Sequence, residues 1–264
     1  MTLHSKREGI EKPQERESMW FAEDAILWSS ALRKLGVTAG ITARSHGSMA
    51  GSHHPLAEQA ENRAALARRL GFDAVVRAKQ VHGRDVAYVT AAVEPWPIAD
   101  ALWTDRPGVL LGIAAADCVP VLVADPRGPI GAAHAGWLGT SLEVVRALVD
   151  AMVAGGASRD GLVASIGPSI GPCCYTIGAE RAEAVRERIG PDALETRDGK
   201  TYFDLWSANA AQLRAAGVRQ VEVARICTLS GGADLWSYRG RGPDGKYGTQ
   251  LGFIGRPRLK AAVP

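Results

Sequence analysis

The chain has 264 residues, 46% hydrophobic and 22% charged. That composition excludes disorder as its main state and provides enough chain for one large domain or two closely packed small ones. Thirty-one Lys and Arg against 28 Asp and Glu leave a formal charge of +3. This balance excludes a protein whose main work is coating nucleic acid or an acidic membrane, so any anionic partner has to be small and locally bound. Four cysteines, at 118, 173, 174 and 227, are too few and too unevenly placed for a disulfide framework, which points to a reducing cytoplasm.

Residues 1–18 interleave both charge signs and hold no apolar stretch that would serve as a signal-peptide core. They read as a flexible tail ahead of a single domain over 19–264. The apolar stretch at 109–116 falls well short of the roughly 20 residues a membrane span needs. Residues 20–35 carry apolar positions at mixed spacings that fit either one helix or a short strand followed by a helix. Residues 40–55 begin as a strand and become a Gly, Ser and His loop, the composition of a surface segment or active-site lid. A helix is predicted over 56–70, ending at Gly71. Short β-rich pieces follow at 74–81, 86–90, 109–116, 119–124 and 130–133, separated by Gly, Pro and Asp, a spacing that suits antiparallel or mixed pairing. Helical periodicity returns at 138–152, 179–189 and 207–216, with strands predicted at 162–166, 221–227 and 235–238. Strands and helices alternate without a regular βαβ repeat, so the class is α+β.

Three residues stand where apolar strands give way to Gly or Pro: His82 in KQVHGRDV, Cys118 in AAADCVPVLVAD and His134 in IGAAHAGWLGT. A packed strand fixes the direction of such a side chain while the turn beyond it leaves room for a ligand. One thiolate and two imidazoles are suitable donors for Zn(II), and three protein ligands leave a fourth position open, as in catalytic zinc sites. Two other readings of the same atoms stay open. Cys118 with His134 would make a nucleophile and base pair, or Cys118 is a small buried hydrophobe and each histidine a satisfied strand cap. Asp117 either orients a histidine or pairs with a lysine.

The glycines and hydroxyls at 136–141 precede a helical pattern, so free N–H groups there would attract an anion, or simply make a strand-to-helix turn with a hydroxyl N-cap. The turn at 166–175 (IGPSIGPCCY) reads as a pocket wall, with Cys173 and Cys174 as inert neighbours. Tyr238, Arg239 and Arg241 follow a predicted strand, where a guanidinium would hold a phosphate bidentately. Arg44 closes the GITAR strand, and His46, His53 and His54 lie in the loop after it.

Taken in order, QVHG, AADC, AAHAGW, IGPSIGP, YFDLW and WSYR resemble the bacterial laccase-domain family. That family is named for multicopper polyphenol oxidases and is also described as zinc-dependent purine nucleoside phosphorylases. The resemblance runs from about Gly40 to Ile254. It implies mixed β-sheets packed as a sandwich and covered by helices, in a single compact domain, with zinc held by His82, Cys118 and His134. It further implies phosphorolysis of adenosine, inosine and methylthioadenosine, with adenosine deamination beside it, although the HxE and PCxxC pattern of the nucleobase deaminases is missing. On this reading Arg44, Gln80, Tyr238, Arg239 and Arg241 bind substrate and phosphate. The partners are then a purine nucleoside and phosphate, with no nucleic-acid polymer and no membrane, and the chain works as a monomer.

The sequence departs from the family pattern around the pocket. Leu138 and Gln250 stand where the family carries arginine, Gly240 separates Arg239 from Arg241, and SHGSMAGSHHP replaces an Asn-Leu-Gly segment. Each lost charge-assisted hydrogen bond is worth roughly 1.5–3 kcal/mol, so phosphate affinity should fall unless Arg44, Arg239 or Arg241 substitutes. Two alternatives remain in view. One is a copper-dependent oxidase of phenols, which six histidines supply poorly. The other is a metal-binding protein with weak or lost catalysis.

Overall fold

The structure, a computed structural model, describes residues 20–91 and 94–258. The tail expected at 1–18 lies outside the described residues. Two six-stranded mixed sheets form the body, and a three-stranded antiparallel sheet stands beside them. The first runs in the order Trp20–Glu23, Ile26–Ser29, Thr38–Thr42, Gln250–Gly255, Leu110–Ala115 and Val75–Val76. The second runs Gln220–Val223, Val163–Ile166, Val119–Ala124, Ile130–Ala135, Ala101–Thr104 and Val86–Tyr88. Pairing is antiparallel except for Val75–Val76 against Leu110–Ala115, Val86–Tyr88 against Ala101–Thr104, and Val163–Ile166 against Gln220–Val223.

Alternation of side chains along each strand explains the layers. In Val119–Ala124, Val119, Val121 and Val123 face the helices Val144–Ala154 and Leu205–Ala215, where they meet Val145, Leu148 and Leu213. Leu122 and Ala124 face the other sheet, where they join Ile41, Leu111 and Ile113. The opposite face of the first sheet buries Leu110, Leu251 and Phe253 under Leu66 and Ala67 of the helix Leu56–Leu70. The expected α+β class of mixed sheets in a sandwich covered by helices is what the chain adopts. Each fully buried Leu, Ile or Phe in these layers contributes roughly 1.5–3 kcal/mol. Among the described residues no helix is long and apolar enough to cross a membrane.

The helix Leu56–Leu70 ends at Gly71 as predicted, in the left-handed conformation that glycine adopts without a Cβ clash. Residues 20–35 form two strands and a four-residue helix, not one helix. The helix predicted over 138–152 is broken into Trp137–Ser141 and Val144–Ala154, with Glu143 left-handed at φ 59° between them. The strand predicted over 74–81 shrinks to Val75–Val76. No strand forms at 235–238, because the Trp236 N–H is taken by the Gln250 side chain at 2.8 Å instead of a neighbouring strand.

Candidate metal centre

Strand register brings the site together. His134 pairs with Pro120 across the antiparallel ladder, two residues beyond Cys118. Ala133 pairs with Ala101 on the other side, next to Asp100. The turn at His82 is then drawn in by Asp100, whose carboxylate accepts the N–H of Val81 at 3.0 Å, His82 at 2.9 Å and Gly83 at 2.7 Å. The same carboxylate lies 2.9 Å from His134 Nδ1. His82 itself is left-handed at φ 62°.

One ligand atom from each of His82, Cys118 and His134 lies within 4.8 Å of the others, and the two imidazole rings sit 4.8 Å apart at 72°. His134 is buried, Cys118 is half-buried and His82 is exposed, so the cluster opens to solvent on one side. The Asp100 bond occupies Nδ1 of His134 and leaves Nε2 for a ligand, the arrangement that orients metal-bound histidines. Gly136 provides a second sign of fit. A Cβ placed there would stand 2.7 Å from Cys118 Sγ and 3.4 Å from His82 Cδ2, so only glycine leaves the donor set its space.

The electrostatics point the same way. Burial alone would raise the Asp100 carboxyl, but the His134 bond and the Gly83 and Val81 N–H groups hold it at about 2. Burial likewise opposes ionisation of Cys118, yet the charges and hydrogen bonds of His134 and His82 push its thiol down. His134 is pushed up, against burial, by Cys118 and Asp100. A thiol that ionises readily between two imidazoles is a donor set suited to a borderline-soft cation.

Among the described residues Asp117 neither orients a histidine nor pairs with a lysine. It accepts the Thr228 hydroxyl at 2.6 Å and the Arg239 N–H at 2.8 Å, while its carbonyl accepts the Ile170 N–H at 3.0 Å. It thus ties three segments to the Cys118 strand, including the turn at 166–175. The orienting carboxylate is Asp100, which sequence reasoning passed over, since an Asp before a short strand carries no motif of its own.

The residues expected to contact substrate are distributed as follows. The Gln80 amide donates to Ala114 O at 2.8 Å and accepts Ala114 N–H at 2.9 Å, extending the strand edge. Arg44 lies 4.3 Å over the Trp236 ring. Arg239 donates to Thr176 Oγ1 and O, both at 3.0 Å, and Arg241 turns back onto Tyr238 O at 2.7 Å. Tyr238 is exposed and meets Tyr247, which in turn meets His53, while His54 meets Trp236. The histidine loop and the C-terminal segment therefore share an aromatic rim. The hydroxyls after Gly136 are engaged within the fold and do not cap the helix: Ser141 donates to Trp137 O and Thr140 accepts from Asn209.

A second group of donors lies outside the expected site. The sulfurs of Cys173, Cys174 and Cys227 are within 4.8 Å of one another. The two neighbours expected to be inert therefore meet a third thiol, brought in by the pairing of Ser169 with Cys227. Burial would raise Cys227, but the Ser230 hydroxyl and the N–H of Gly171 bring it down to about 7.

A mixed-sheet sandwich with a two-histidine, one-cysteine cluster at its edge defines an α+β protein with a candidate metal centre. The family model described as multi-copper polyphenol oxidoreductase laccase matches residues 29–257, and the chain belongs to this family. A purine nucleoside phosphorylase of Deinococcus radiodurans is 44% identical over 203 residues, covering 75% of this chain and 78% of the relative. The purine nucleoside phosphorylase YlmD of Geobacillus stearothermophilus is 35% identical over 254 residues, covering 84% and 90%. The crystal structure of YlmD superposes with a TM-score of 0.79 at 31% identity, covering 91% of this chain and all of that one.

Proposed function

We propose that the chain is a zinc-dependent purine nucleoside phosphorylase, converting adenosine, inosine or methylthioadenosine and phosphate to free base and pentose 1-phosphate, with adenosine deamination as a side activity. The observation that carries this reading is the His82, Cys118 and His134 cluster, in a chain whose relatives bear the phosphorylase name. Zinc held by these three residues would supply a Lewis acid that polarises a bound oxygen or base.

The chain's own residues prepare that site. Asp100 fixes the tautomer of His134 and the backbone of His82, and with four hydrogen bonds on its two oxygens it has no lone pair suited to act as a general base. His82, on the exposed side, bounds the path by which a nucleoside would enter. Asp117 holds the Arg239 main chain against the residue next to Cys118.

Incubation with inosine, with and without phosphate, tests the reading. Phosphate-dependent release of hypoxanthine and ribose 1-phosphate, lost in Cys118→Ala, is the expected result. Oxidation of a phenol by the copper-loaded protein, with no phosphate-dependent product, would move the assignment to the oxidase activity in the family's description.

A further inference from the structure

On the outer face of the first sheet, away from its partner sheet, a cleft of about 530 Å³ lies between the start of the helix Leu56–Leu70 and residues 77–80 and 95–96. That volume falls in the range of small-molecule sites. Leu56, Pro95, Ala50 and Ala114 supply apolar walls, and none of His82, Cys118 and His134 lines it.

Two arginines dominate the interior. Arg77 is only 7% exposed, and its Nε is buried without a hydrogen-bond partner among the described residues. Arg63 reaches across from the helix and spends one terminal nitrogen on Met49 O at 2.6 Å. Both guanidiniums lie against Trp96, at 5.0 Å and 5.3 Å from its ring, which holds two like charges side by side. Lys79 adds a third cation to the lining, and the carboxylate acting on Arg63 is that of Glu94.

Burying a guanidinium without an anion is costly, because desolvation is not repaid by pairing. Burial and the Arg63 charge bring Arg77 down to about 10, which still leaves it cationic at neutral pH. The amides of Gln59 and Gln80, which also line the cleft, are already engaged with main-chain groups. The start of Leu56–Leu70, which has no side-chain cap at Pro55, adds positive potential from its free N–H groups, offset in part by Glu58 in the first turn. The residues that line the cleft hold three cations and no carboxylate, which favours a dianion over a monoanion.

We infer that this cleft, formed by Arg77, Arg63, Lys79 and Trp96, is a phosphate-binding site separate from the metal cluster, taking inorganic phosphate or the phosphate of a small phosphomonoester. The apolar walls give a phosphomonoester's organic body a surface to cover. The inference stands independently of the phosphorylase reading, because it uses no residue of the cluster.

Calorimetric titration of the full chain with inorganic phosphate, AMP and adenosine tests it, using wild type, Arg77→Met and Cys118→Ala. Phosphate or AMP should occupy a site that Cys118→Ala keeps and that Arg77→Met weakens at least tenfold, whether or not the metal cluster binds a phosphate of its own; adenosine should show no dependence on Arg77. Tighter binding of AMP than phosphate would assign the site to phosphomonoesters, and equal binding to the free ion. Circular dichroism and melting of Arg77→Met check that it folds. Should it fail to fold, the Arg77 Nε resonance of wild type, read by NMR, must shift on adding phosphate. A phosphate stoichiometry and affinity in Arg77→Met that match wild type, or a resonance that does not move, overturns the proposal.

Discussion

Asp100 Oδ1 stands 2.9 Å from His134 Nδ1, and the same oxygen accepts the His82 N–H at 2.9 Å. One buried carboxylate thus sets the ring of one histidine and the backbone of the other. Asp100→Asn keeps the volume but turns an acceptor into a donor facing N–H groups. Metal affinity should drop about 10–100-fold, as it does when partners behind a ligand are removed. Chelator competition measures this, and an unchanged affinity would show that the histidines are oriented without Asp100.

Gly136 makes a sharper test, because its backbone is ordinary extended chain at φ −76° and ψ −175°. Alanine there costs nothing in backbone conformation, and the penalty comes from its Cβ, 2.7 Å from Cys118 Sγ. Overpacking of this kind costs about 1–3 kcal/mol, so Gly136→Ala should fold. Its metal content, read by elemental analysis of the purified protein, should fall well below wild type. Metal that remains in both Gly136→Ala and Cys118→Ala would belong to Cys173, Cys174 and Cys227.

The parts of this fold legible in the sequence are those with local signals. The helix Leu56–Leu70 has its period and its terminal Gly71, and the strand Val119–Ala124 is a continuous apolar run. The strand Gln250–Gly255 escaped because two glycines weaken its pattern, yet Gly252 is needed where a Cβ would meet Pro120 at 2.7 Å. Ala101–Thr104 is four residues long, and its place between two neighbours is decided by pairing, not propensity. In the site, His82, Cys118 and His134 announced themselves by type and by their places at strand ends. Asp100 did not, because its role exists only once the turn at His82 has folded over it. The meeting of Cys227 with Cys173 and Cys174 depends likewise on a long-range contact.

Gln250 is fully buried and its Oε1 accepts the Trp236 N–H at 2.8 Å. The arginine that the family resemblance leads one to expect here therefore cannot simply be put in its place. Gln250→Arg would bury a charge without a partner and release the segment that carries Trp236, over which Arg44 is stacked. Such a change destabilises by several kcal/mol, and a large drop in Tm is expected with no gain in phosphate affinity. A stable Gln250→Arg protein that binds phosphate more tightly would show instead that the pocket retains room for the guanidinium.

Asp125 gives the clearest dependence on pH away from the metal cluster. It is fully buried and accepts the N–H of Arg127 at 2.8 Å, the Arg127 guanidinium at 3.1 Å and the N–H of Ser158. Burial alone would raise its carboxyl, but these donors hold it below the ordinary value. A carboxyl depressed in the folded state stabilises fully above its unfolded pKa of about 3.9, and that contribution is lost as pH falls through the lower folded value. Wild type should therefore lose stability on acidification below about pH 4, and Asp125→Asn should start less stable and show a shallower decline there. Urea denaturation at a series of pH values measures both slopes. Parallel curves for the two proteins would mean that the contact between the turn at Asp125 and Ser158 does not depend on the charge of this carboxylate.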